Sequence, residues 1–160
     1  MHNKRNLVIL FITLVIMMMG FGIIIPILPD LVVAFGGTGV EMGGLMAIFS
    51  AMQFLFSPMW GSLSDRYGRK PILMLGVFGN AISMLALGLS TQLWMLFAAR
   101  GLAGILSSAT LPTAMAYISD STDEKSRGGG MGVIGAAMGL GMVLGPGAGG
   151  LPGRGLFLQD

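Results

Sequence analysis

Asp65, Arg66, Arg69 and Lys70 crowd into one short stretch, Gly61–Pro71, with Gly68 among them. Such a cluster can pair ions, cap helix ends and tighten a turn. Gly68 there allows a positive φ angle. From charge alone the cluster reads either as a basic anchor at a membrane surface or as a pairing network. Arg100 is a different case, because it stands alone inside an apolar run. A charge in that position costs ~2.5–3.5 kcal/mol on insertion scales and is a functional candidate by default. Its chemistry is electrostatic. A guanidinium stays charged and can bias a neighbouring titratable group without titrating itself. A snorkelling arginine or a structural ion pair is the alternative reading.

Bond-making chemistry has few residues to carry it. There is no cysteine, and the one histidine, His2, is at the extreme N-terminus. Thiol chemistry and Cys/His metal sites are therefore excluded. No set of acids, His and Ser converges, and the glycines from Gly128 to Gly132 lack the Gly-Lys-Ser/Thr of a phosphate loop. The expectation is no enzyme, no catalytic residue, no metal and no cofactor. The net charge of +2 is too small, and the basic residues too scattered, for nucleic-acid binding.

A third pattern is made of small residues. Ala137, Gly141, Gly145 and Gly149 recur every four positions. On a helix they form one smooth ridge that allows close approach of a second helix. Pro146 should bend that ridge. A generic packing seam explains the repeat but not the proline placement.

The elements that must hold these residues are membrane spans. Of the 160 residues 54% are hydrophobic and 10% are charged, against about 25% charged in a soluble domain. Five apolar stretches run from about Leu7 to Leu28, Gly39 to Trp60, Pro71 to Leu89, Leu93 to Ile118 and Gly130 to Leu151. At ~1.5 Å per residue each crosses most or all of a hydrocarbon core of about 30 Å. The first is longer than the ~7–15-residue core of a signal peptide, and no small-residue cleavage pattern closes it. Thr38 and Glu41 have the spacing of a capping box at the start of the second span. Pro71 suits the first turn of the third. Pro26, Pro112 and Pro146 should kink their helices or loosen the ladder. Pro29 followed by Asp30 should break the first helix.

The connections alternate in charge. Lys4 and Arg5 precede the first span; Arg66, Arg69 and Lys70 follow the second; Lys125 and Arg127 follow the fourth. The intervening connections lack Lys and Arg. The positive-inside rule then places the N-terminus in the cytoplasm, in a multi-pass protein of the cell (inner or plasma) membrane.

Gly61, Asp65, Arg66, Gly68, Arg69 and Lys70 together match G-x3-D-R-x-G-R-[KR] between the second and third spans. This resembles the signature loop of major facilitator superfamily transporters. Gly20, Gly22, Pro26 and Pro29 resemble that family's first-helix stretch. Arg100 and Gly104 resemble its fourth-helix R-x3-G. Gly132, Gly141, Gly145, Pro146, Gly149 and Gly150 are similar to the antiporter motif of its drug–proton exchangers. Asp120 to Gly128 resembles the acidic-basic connection of helices four and five, though on charge alone it is a solvated loop.

The resemblance implies an all-α membrane fold, here about five transmembrane helices from the N-terminal part of a twelve-helix transporter. It implies that the Asp65–Lys70 loop gates alternating access and that Arg100 serves proton coupling or cavity electrostatics. The implied activity is proton-coupled efflux of drugs, tetracycline among them, or other small amphipathic molecules. The implied partners are the lipid bilayer, substrate, protons and a missing C-terminal half. Residues 1–150 follow the family as an incomplete N-terminal half. The tail, 151–160, does not, and reads as the product of truncation or frameshift, which would leave the fragment without transport activity. With no sixth helix, the Ala137–Gly149 ridge is expected to lie unfilled. The competing reading is a small helical membrane protein that self-associates through glycine ridges without transporting.

Overall fold

The computed structural model describes the backbone of residues 2–121 and 127–156, and the side chains of residues 5–120 and 128–147. Six helices follow in order: α1 (His2–Ala34), α2 (Gly39–Tyr67), α3 (Arg69–Gly88), α4 (Leu93–Ser107), α5 (Thr110–Ser121) and α6 (Arg127–Leu156). There is no strand among the described residues. With α4 and α5 counted as one, five segments among the described residues are long and apolar enough to cross a membrane. The all-α, five-span expectation holds. Many large apolar side chains stay exposed, among them Ile12, Ile16, Phe54, Phe78, Leu85 and Val143. Water would not tolerate such a surface, and lipid does.

Three boundaries differ from expectation. The first helix does not break at Pro29 and Asp30; it continues to Ala34. Each proline removes one bond from the ladder. The rest of the i→i−4 ladder carries the helix past them. The stop comes at Gly36, whose φ of 74° is open to glycine. There the Gly36 N–H bonds to the Val33 carbonyl at 3.0 Å and the Gly37 N–H to the Val32 carbonyl at 2.8 Å. This is a Schellman closure.

The second correction concerns Gly61–Pro71, expected as a loop. Helix α2 carries on through Gly61, Asp65 and Arg66 to Tyr67, and α3 begins at Arg69. The hydroxyls of Ser62 and Ser64 donate back to the carbonyls of Met59 and Gly61, at 2.9 and 2.8 Å, so these polar residues stay within the helix. Only Gly68 lies between the helices, at φ 98°. Pro71 does sit in the first turn of α3.

Third, the fourth span is two helices, interrupted at Ser108 and Ala109. Pro112 was expected to loosen the ladder, and the break falls on the residue whose carbonyl would have received its N–H, Ser108. The capping box forms as expected: the Thr38 hydroxyl accepts from the Val40 N–H at 3.3 Å, and the Glu41 carboxylate accepts from the Thr38 N–H at 2.8 Å.

The chain divides into two compact units, one of Met1–Leu31 with Ser121–Asp160, the other of Val32–Asp120. In the second unit α4 packs against both α2 and α3. Small residues make this possible. A methyl group on Gly104 would collide with the Phe49 carbonyl, and one on Gly79 with the Leu106 side chain. Leu45, Phe49, Leu96, Ala99 and Ala103 are buried there. In the first unit α6 lies on α1, and Ala137 is fully buried.

Candidate functional site

The turn between α2 and α3 is built on Gly68, whose N–H caps α2 by bonding to the Ser64 carbonyl at 3.1 Å. The positive φ there turns the chain sharply enough to bring Arg69 back beside the end of α2. The Arg69 guanidinium then gathers three partners. Nη1 pairs with the Asp65 carboxylate and donates to the Ser64 hydroxyl at 2.7 Å. Nε bonds to the Asp120 carboxylate, at the end of α5, at 2.9 Å. One arginine thus ties together α2, α3 and α5. Asp65 was a candidate cap for a neighbouring helix; instead it pairs with Arg69, and α3 has no side-chain cap.

The remaining members of the motif play other parts. Arg66 lies over the Tyr67 ring, 5.8 Å from its centroid. Lys70 is exposed, and a methyl group on Gly61 would meet nothing within 4 Å. Both carboxylates of the clasp are more than half exposed, at 65% and 58%. Ion pairs of that kind contribute ~0.2–1 kcal/mol each.

Arg100 is 1% exposed. Its guanidinium carbon stands 4.6 Å from the centroid of the Phe49 ring, and Nη2 reaches the Met46 sulfur at 3.4 Å. A desolvated cation–π contact is worth about 2 kcal/mol, whereas a thioether is a weak acceptor. Nε and Nη1 have no hydrogen-bond partner among the described residues. The acids of the Val32–Asp120 unit are engaged elsewhere: Glu41 in the α2 cap, Asp65 and Asp120 on Arg69. Arg100 is therefore anchored to α2 but not neutralised within its unit.

The glycine ridge of α6 is filled, contrary to expectation. A methyl group on Gly141 would strike Met18, and one on Gly145 would stand 2.6 Å from the Gly22 Cα. From the other side, a methyl on Gly22 would stand 3.2 Å from Cδ of Pro146. The partner was already in the chain: the small residue Gly22 of α1 receives the ridge. Gly132 takes no part, having nothing within 4 Å of a built methyl. Gly149 and Gly150 fall beyond the residues whose surroundings are described, as do Asp123, Glu124 and Lys125 of the α5–α6 connection.

Several participants had escaped the sequence reading. Ser64 stood in the motif without a role, and Asp120 passed as a solvated acid. Met46 and Phe49 carry no signal beyond apolarity, although their spacing puts them on one face of α2.

The Major Facilitator Superfamily model matches residues 10–156. The chain is 41% identical to the class H tetracycline resistance protein of Pasteurella multocida, over 94% of this chain and 38% of that protein. It is 38% identical to the class C tetracycline resistance protein of Escherichia coli, over 96% of this chain and 39% of the relative. Multidrug resistance protein 2 of Bacillus subtilis (strain 168) is 35% identical over 93% of this chain and 37% of its own length. Among solved structures, the human organic anion transporter MFSD10 (TETRAN) superposes with a TM-score of 0.81 at 28% identity, covering 93% of this chain and 42% of that one. The chain thus spans well under half the length of the relatives it matches.

Proposed function

Because the chain belongs to the Major Facilitator Superfamily, we propose that it forms the N-terminal part of a proton-coupled secondary transporter. The transporter exports drugs or other small amphipathic molecules from the cell by alternating access. The observation that carries this reading is the Arg69 clasp. It joins the ends of α2, α3 and α5 through weak, exposed pairs that can open and close. The tetracycline and multidrug resistance relatives support the class of substrate. In this reading Lys4, Arg5 and the clasp face the cytoplasm. Arg100 holds a permanent positive charge beside the transport path and biases the titration of a group outside its own unit. The 160 residues alone do not complete the cycle, because alternating access needs two halves rocking about a central site.

A chimera tests this. The class C tetracycline resistance protein is expressed with its matching N-terminal stretch replaced by this chain. Everted vesicles should then accumulate tetracycline when energised and lose it on addition of an uncoupler. Correctly inserted chimera at parental abundance with no uncoupler-sensitive uptake would refute the transport reading.

A second reading has one observation in its favour. Gly128, Gly132, Gly135 and Gly139 of α6 have nothing within 4 Å of a built methyl group among the described residues, which leaves a further close-packing face open there. Self-association through that face, without transport, is the alternative. A stable homodimer of the purified chain, lost on Gly135→Leu, would favour it.

A further inference from the structure

The break at Ser108–Ala109 leaves the carbonyl of Ile105 without its usual helical partner. The Ala109 N–H bonds to Leu106 instead, at 3.4 Å. Two side chains take the Ile105 carbonyl. The Ser108 hydroxyl donates to it at 2.7 Å from the same span, and the Trp60 indole Nε1–H donates at 2.7 Å from α2. Trp60 is 8% exposed and packs with Ile72 and fully buried Ala109, with Phe56, Leu63 and Leu106 around them. Ala109, in the break itself, is thus packed against the same side chain that satisfies the freed carbonyl. From α3, a methyl group on Gly76 would collide with Thr110 and crowd Ala109.

We propose that Trp60 is a positioning residue: it latches a hinge at Ser108–Ala109 that divides the fourth span into two separately movable segments. Arg100 lies on α4, N-terminal to the hinge, and Asp120 ends α5, beyond it. Trp60 bonds to the last turn of α4 at Ile105 and packs on Ala109 just before α5, while the far end of α5 is held by the Arg69–Asp120 pair. Three buried hydroxyls flanking the break, of Ser107, Thr110 and Thr113, have no hydrogen-bond partner among the described residues. Each unmet buried group carries an uncompensated desolvation cost. They take back part of what holds this arrangement, so the latch decides it. The indole bond is a single side-chain contact to a backbone carbonyl, and its release loosens the last turn of α4, and with it the step into α5, while the contacts of Arg100 with Phe49 and Met46 remain. Use of this hinge in gating rests on the transport reading; the hinge itself does not.

The test is made on the 160-residue chain in lipid nanodiscs. Its lack of cysteine permits spin labels at Ala98→Cys on α4 and Met115→Cys on α5. An unbroken helix would hold these positions about 25 Å apart at ~1.5 Å per residue. The parent should give one narrow distance distribution shorter than that. Trp60→Phe, which keeps the ring and removes the donor, should broaden it or add a second distance. Trp94→Phe should leave it unchanged. Ser108→Ala, which removes the other donor to the same carbonyl, should broaden it to a smaller extent, and decides the matter if Trp60→Phe does not fold. Adding Pro112→Ala to either variant should restore a single, longer distance by closing the ladder. A parental distribution in both Trp60→Phe and Ser108→Ala would overturn the proposal, whatever the chimera does in transport.

Discussion

Gly145 of α6 lies against Gly22 of α1 with no room for a side chain between them. A methyl built on Gly145 would stand 2.6 Å from the Gly22 Cα, and one built on Gly22 would stand 3.0 Å from the Gly145 Cα. Two backbones meet here without side chains between them, which is how helices gain dispersion energy in lipid, where burial of apolar surface drives little. Gly145→Ala should therefore lower the stability of the chain in mild detergent by about 1–3 kcal/mol, the usual cost of overpacking. Gly132→Ala, at an open position, should change it little. Denaturant titration followed by loss of helicity measures both. Equal stability in the two variants would mean that the contact is not made.

The clasp should matter more to transport than to folding. Asp65→Asn and Asp120→Asn each remove one exposed partner of Arg69. Each should cost under ~1 kcal/mol of stability, by the measured range for such pairs. In the tetracycline chimera the same changes should cut efflux severalfold at unchanged membrane abundance. Efflux rates per inserted molecule make the comparison. Parental rates in both variants would leave the clasp with no gating part.

Arg100 should separate stability from activity in the opposite direction. A buried charge with no acid engaged in its own unit favours replacement by an apolar side chain of similar length. Arg100→Met should leave the thermal unfolding of the chain unchanged or raise it. In the chimera it should abolish efflux driven by a pH gradient while drug binding persists, with Arg100→Lys recovering part of the rate. Strong destabilisation by Arg100→Met, with normal transport by the survivors, would assign Arg100 to structure alone.

Orientation is open to direct labelling, since any introduced cysteine is the sole thiol in the chain. Val40 is 82% exposed and Tyr67 is 63% exposed. In intact cells an impermeant maleimide should label Val40→Cys and leave Tyr67→Cys untouched until the membrane is broken. The reverse pattern would invert the topology.

The sequence alone determined the features that depend on neighbours along the chain. Span positions follow from runs of apolar residues. The Thr38–Glu41 cap follows from side chains that reach only one turn, and the Gly68 turn from the one residue type at ease with positive φ. The local rule failed at Pro29 and Asp30, because each proline costs the ladder only one bond; the helix runs on until Gly36, whose positive φ closes it. Tertiary structure decided who meets whom. Arg69 reaches Asp120, 51 residues away, Trp60 reaches Ile105 at 45, and Arg100 reaches Met46 at 54. Such partners depend on how each helix is rotated about its axis. In a soluble protein an apolar stripe reports that rotation. In α1, α2 and α6 the faces towards lipid and towards protein are both apolar, so the pattern carries no face. Only packing, small residue against small residue, fixes the rotation and brings the distant partners together.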